Sequence, residues 1–172
     1  MKTYKQSTSN TCLPSSFLLL LNIKPNQEKE MEIFINGLKF NREDFTIGQI
    51  NFVANKYRKN IVVYVQDKKL SNLFRRLHIS KRIKIIQTNV NLNLIKKLIK
   101  YPLILYLDDY LLRKEVHFPH AIVVWKFEKN KFIISDPWDG KIKKLDSYSL
   151  AKGIRLMRDV IKFSPTVIQI EK

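Results

Sequence analysis

Short apolar runs rich in β-branched residues crowd the second half of the chain, each bounded by charge or by a turn former. Ile61–Val65 reads IVVYV, Leu103–Leu107 LILYL, Ala121–Phe127 AIVVWKF, Lys131–Ser135 KFIIS and Thr166–Ile170 TVIQI. Runs of that length and make-up specify strands. Ile83–Ile86 adds another, a hairpin is expected at Glu128–Asn130, and Asp139-Gly140 turns the chain into a strand over Lys141–Leu145.

The first half has the rhythm of helices. Thr11 or Asn10 is placed to cap a helix that carries Pro14 in its first turn, where a missing N–H is harmless. Phe17, Leu18, Leu20 and Leu21 surround that helix with apolar side chains, so it should be largely buried. A second helix is expected over about Gln27 to Leu38, ending near Gly37, and a third from Thr46 to about Tyr57. Later, Asn91 caps a short amphipathic helix, and another lies near Tyr148–Met157. Helices first and a mostly antiparallel sheet afterwards give an α+β class. No repeat or linker interrupts the chain, so 1–172 reads as one domain, helical over about 1–58 and sheet-forming over about 60–172.

No uninterrupted apolar run, Phe17–Leu21 included, exceeds five residues, far short of the roughly 20 a membrane helix needs. No secretion signal is recognisable, and a cytoplasmic location is expected. A single cysteine excludes an internal disulfide, and with three histidines it leaves no expectation of a metal or cofactor. The net charge is +17, and between Lys56 and Lys100 thirteen Lys or Arg face one acid, Asp67. Such a stretch is a solvated face or a docking surface for an acidic peptide, an anionic membrane or nucleic acid. No nucleic-acid motif accompanies it.

Cys12 opens the first helix, where unpaired N–H groups and roughly half a positive charge favour thiolate over thiol. Its bland reading is a small buried hydrophobe. Gln6, in QSTSNTC, stands at a distance that lets its side-chain amide join the Cys12 N–H in an oxyanion hole. A thiolate needs a base. His78 sits in the basic LFRRLHIS and His117 in a polar approach to a strand, whereas His120 opens the apolar HAIVVW. Antiparallel pairing across the hairpin brings His120 and Asp136 of ISDPWDG to one end of adjacent strands, where a carboxylate can fix the imidazole tautomer. Asp136 also reads as a turn former before Pro137, and His117 remains an alternative base.

These residues in this order, with HAIVVW, ISDP and a following Gly140, resemble the papain-like double-glycine leader peptidases that precede many peptide-exporting transporters. The segment LIKKLIKYPLILYL is similar to the helix and Pro-led strand before the family's histidine. The resemblance spans about Tyr4 to Ile170 and implies a papain-like fold, with Cys12 as nucleophile, His120 as base, Asp136 as its orienting carboxylate and Gln6 in the oxyanion hole. It implies a cysteine peptidase acting on a leader-type peptide, here a free-standing form, and the basic stretch suits an acidic substrate segment. The chain departs from the family where Leu13 replaces the usual glycine after the cysteine and Thr11 the usual acid or aromatic before it. The alternatives are an inactive papain-like peptide-binding domain and a basic nucleic-acid-binding module.

Overall fold

The computed structural model describes residues 1–40, 44–78 and 80–171. Residues 41–43, 79 and 172, which the single-domain reading includes, lie outside the described residues. Three helices come first: α1 (Cys12–Leu20), α2 (Gln27–Phe40) and α3 (Phe45–Lys56). Then come β1 (Ile61–Val65), α4 (Lys68–Leu77), β2 (Ile83–Gln87), α5 (Leu92–Leu98), β3 (Leu103–Asp108) and α6 (Tyr110–Arg113). The chain finishes with β4 (Pro119–Glu128), β5 (Lys131–Asp136), β6 (Lys141–Asp146), α7 (Ser147–Asp159) and β7 (Thr166–Ile170). The strands form one mixed sheet in the order β2-β1-β7-β3-β4-β5-β6, with β1 and β2 parallel and the other described pairs antiparallel. The class is α+β. No described helix is long and apolar enough to cross a membrane.

The central strands are apolar on both faces because helices cover both. Ile104, Tyr106, Ala121, Val123 and Ile168 point into a core shared with Phe17 and Leu18 of α1, Ile47 and Ile50 of α3 and Phe74 of α4. The alternating residues Leu105, Leu107, Ile122, Val124 and Val167 meet Ile95 of α5, Leu111 of α6 and Leu150 and Ile154 of α7. Period-2 alternation of two apolar sets is what a sheet buried between two helical layers requires.

Four local expectations need correction. Thr11 stands at the N-cap of α1 but does not cap it, because its hydroxyl donates to the Thr8 carbonyl and accepts from the Thr8 N–H instead. Helix α2 does not stop near Gly37 but runs on to Phe40. Gly37 is there for closeness: a Cβ would run into the Gln49 side chain of α3 and lie 2.9 Å from its backbone N and Cα. Helices α4 and α6 were not expected. In α4 the basic side chains hide a short amphipathic pattern that buries Ser71 and Phe74, and Asp67 caps it by accepting from the Leu70 N–H.

One irregularity sets the phase of the β4–β5 hairpin. The turn at Lys129 and Asn130 has both residues at positive φ, as a two-residue hairpin turn requires, and Glu128 pairs with Lys131. Continued without interruption, that register would set Asp136 opposite Val123, on the sheet face away from His120. A bulge at Trp125 shifts the pairing by one, so that Val124 meets Ile134 and Val123 meets Ser135. Asp136 then falls opposite Ile122, diagonal to His120 and on the same face. The bulged Trp125 is held by its indole N–H, which donates to Ser135 Oγ at 2.6 Å.

Gly37→Ala should destabilise the protein by about 1–3 kcal/mol, as overpacking does, despite the better helix propensity of alanine. A urea denaturation midpoint equal to or above that of the unmutated chain would contradict this helix contact.

Candidate active site

The start of β4, the end of β5 and the N-terminus of α1 meet at one end of the sheet. Helix α1 is docked on β4, with Ser16 Oγ donating to the Ala121 carbonyl at 3.4 Å. This places Cys12, the first residue of α1, beside His120. His120 and Asp136 are both fully buried, and His120 Nε2 lies 2.7 Å from Asp136 Oδ1. An ionised carboxylate only accepts, so Nε2 carries the proton and donates. The other ring nitrogen, Nδ1, has no hydrogen-bond partner among the described residues, and Cys12 is the thiol that acts electrostatically on this ring.

The electrostatics follow from these neighbours. Burial pushes the Cys12 thiol up, but the His120 side chain and the N–H groups of Ala121 and Leu13 outweigh it and bring the thiol below its ordinary range. Burial alone would lower His120, yet Asp136 and the thiol raise it. The two shifts share one cause, each group favouring the charged form of the other.

Asp136 is held ionised by more than its histidine. Oδ1 also accepts from the Trp138 N–H at 3.1 Å, and Oδ2 accepts from Arg113 Nη1 at 3.0 Å and Lys143 Nζ at 2.5 Å. Burial pushes its carboxyl up, but His120 and Lys143 hold it well below the usual carboxylate range. Arg113 is shared with Asp109 and lies over the Trp138 ring at 4.8 Å. None of these partners was singled out from the sequence. Lys143 had a signal: Asp136 pairs with Lys141 on the edge strand, and Lys143 is the diagonal neighbour on that face. Arg113 had none, since α6 is a separate four-residue helix.

Gln6 lies close to this cluster through its backbone. Its N–H donates to the Pro137 carbonyl at 2.7 Å, just past Asp136. The surrounding segment is fixed by buried Glu30, which accepts from Tyr4 Oη at 2.7 Å and from the Ser7 N–H at 2.9 Å. Ser135 Oγ, the acceptor for Trp125, donates to the Lys2 carbonyl. Gly140, at φ 69°, lets the turn after β5 approach Lys5, whose backbone N would sit 3.0 Å from an added Cβ. The Gln6 amide itself donates to the Thr8 carbonyl at 2.7 Å, and no hydrogen bond among the described residues joins it to Cys12.

Of the other histidines, His117 forms a separate pair, its Nδ1 2.5 Å from the buried Asp108 Oδ2 and its ring stacked on Tyr110. His78 ends α4. Neither is part of the Cys12 cluster.

Cys12 is half-buried and opens into a groove of about 490 Å³ lined by Leu13, Phe34, Leu38, Phe45, Tyr106 and Phe118. Leu13 does not block it, because the side chain is 1 % exposed and belongs to the core. Burial, with the Cys12 charge adding to it, holds the Tyr106 hydroxyl well above its ordinary value, so it remains a neutral phenol in the wall. No group of His, Cys, Asp and Glu among the described residues has the arrangement of a metal site. No protein-family model matches the chain, and no curated protein matches its sequence.

Because the chain has one cysteine, alkylation reports on one atom. The rate with iodoacetamide should rise with pH through a midpoint well below the ordinary cysteine value of about 8.5. His120→Ala should return that midpoint to the ordinary value or above it, and equal profiles for the two proteins would refute the pair. Asp136 makes its own stability signature. A carboxyl lowered in the folded state stabilises above its unfolded pKa of about 3.9, and that contribution is lost as pH falls below it. Thermal midpoints should therefore fall more steeply on acidification below pH 4 for the unmutated chain than for Asp136→Asn. At pH 7 the variant should be less stable by about 3 kcal/mol, having left buried His120 and the part-buried Arg113 and Lys143 without their carboxylate.

Proposed function

We propose that the chain is a cysteine peptidase of papain-like fold, similar to the double-glycine leader peptidases, and that it cleaves a peptide bond by acyl transfer. The observation that carries this reading is His120 held between buried Asp136 and the Cys12 thiol. A histidine serving structure alone needs no thiol on its second nitrogen, and a structural cysteine needs no lowered pKa.

In the proposed reaction Cys12 Sγ, as thiolate, attacks the substrate carbonyl carbon and forms the C–S bond. The oxyanion forms at the N-terminus of α1, beside the Cys12 N–H. The Gln6 amide has two N–H hydrogens, and the bond to the Thr8 carbonyl uses one, leaving the other for the oxyanion after a modest rotation. His120 Nδ1–H protonates the leaving amine as the C–N bond breaks. The neutral imidazole then takes a proton from water, whose oxygen attacks the thioester and releases a carboxylate and the thiolate. Asp136 stays ionised throughout and holds the ring by Nε2–H. The apolar groove beside Cys12 suits side chains flanking the scissile bond.

Incubation with a mixed peptide library and mass spectrometry of the products is the test. Cleavage should be abolished by Cys12→Ala, and Gln6→Ala should lower kcat by about 10²–10³, the cost of one oxyanion donor. Cleavage that survives Cys12→Ala would overturn the assignment. A peptide that binds in the groove and emerges uncut, with Cys12 slow to alkylate, would favour a binding domain instead.

A further inference from the structure

The end of the sheet that carries Cys12 continues past β7 to β1 and β2, because β7 runs antiparallel to both of its neighbours and β2 runs parallel to β1. Residues 163–165, Gln66 and Gln87 therefore share that end with His120. There a second, larger cleft of about 620 Å³ opens, walled by Gln66, Lys68, Leu70, Arg158, Lys162 and Phe163. Phe163 lines the thiol groove as well, so the two depressions adjoin. Beyond Arg158 a third depression, of about 330 Å³, adds Arg155.

The charge of this cleft is one-sided. Lys68, Arg158 and Lys162 are exposed; Arg158 pairs with its neighbour Asp159 at 3.0 Å, whereas Lys68 and Lys162 have no carboxylate partner among the described residues. The one acid in the wall, Asp67, caps α4 by accepting from the Leu70 N–H and is outnumbered by the three cations. Gln66 adds a polar atom in want of a partner, since its Oε1 is shielded from solvent and accepts no hydrogen bond. Once the side chain turns outward, that oxygen suits a peptide N–H, which a phosphodiester backbone does not offer.

We infer that this cleft is a docking site for an acidic stretch of the peptide substrate, several residues from the bond to be cut. The inference rests on the peptidase reading and adds a second point of recognition to it. Neighbouring strands lie about 4.8 Å apart. In the strand order β1 stands three places from β4, so the cleft lies about 14 Å from the thiol, which roughly four extended residues span. Carboxylates at that spacing would be drawn to the three cations, aligning the backbone along the end of the sheet and across Cys12.

Two measurements test it. Fluorescein-labelled octaglutamate is titrated against Cys12→Ala, and the affinity is compared with that of the same protein carrying Lys68→Glu, Arg158→Glu and Lys162→Glu. Binding should weaken about tenfold or more. An equal charge change on exposed lysines elsewhere, Lys81→Glu, Lys97→Glu and Lys100→Glu, should leave it within about twofold. Lys68→Gln with Lys162→Gln serves if the triple reversal does not fold, and should weaken binding in the same direction. Equal weakening by both triple variants, or weakening by neither, would overturn the site. Tighter binding of a single-stranded dT12 than of octaglutamate through the same three cations would give the cleft to nucleic acid and overturn it too.

The second measurement uses chloroacetyl peptides in which a glycine spacer joins the electrophile to four glutamates. Thioether formation on Cys12, with loss of chloride, should be fastest near a four-residue spacer, and the three reversals should remove that advantage. Rapid reaction with iodoacetamide but no spacer dependence would overturn this inference and leave the peptidase reading standing. A thiol inert to both reagents would overturn both.

Discussion

The 2.7 Å hydrogen bond from His120 to Asp136 is the contact on which the rest of the site depends. Both groups are removed from water, so the ring can neither turn nor choose its tautomer freely. Once Nε2 is committed to the carboxylate, Nδ1 is the nitrogen left for Cys12. The carboxylate in turn is kept charged at a buried position by Arg113 and Lys143. These cations have a second consequence. With His120 and the Trp138 N–H they divide the charge of Asp136 among four donors, which tempers how strongly it holds the proton on His120.

That contact is itself made by backbone phase. The Trp125 bulge moves Asp136 onto the face of His120, and the Trp125–Ser135–Lys2 chain of hydrogen bonds ties the bulge to the N-terminal segment carrying Gln6. Glu30 and the Pro137 carbonyl hold the same segment from two further sides. Strand register, helix docking and the N-terminal strap are thus coupled mechanically at one end of the sheet. A disturbance of any one would be felt by the others as a displaced imidazole.

Much of this was legible in the sequence, for physical reasons particular to each element. IVVYV and AIVVWKF are strands because no other element uses short β-branched runs so well, LILYL because Pro102 and Asp108 confine so short an apolar run, and Asn91 and Pro14 mark helix starts. His120 and Asp136 could be paired by counting across a hairpin, although that count comes to the correct face only with a bulge that no residue announces. Helix α4 was hidden because its exposed surface is nearly all Lys and Arg, leaving a narrow apolar edge. Gly37 looked like a terminator and is a point of close contact, a distinction that only the position of Gln49 can make. Arg113 and the cleft beside Phe163 depend on elements far apart in sequence meeting at one sheet end, which no local pattern encodes.

The most direct measurement of the central pair is nitrogen-15 NMR of the three imidazoles as pH is varied. His120 should remain doubly protonated beyond the ordinary histidine pKa of about 6.5, and Cys12→Ala should move its titration to lower pH by removing the thiolate. A His120 that is neutral at pH 7 and unmoved by the loss of the thiol would contradict the account.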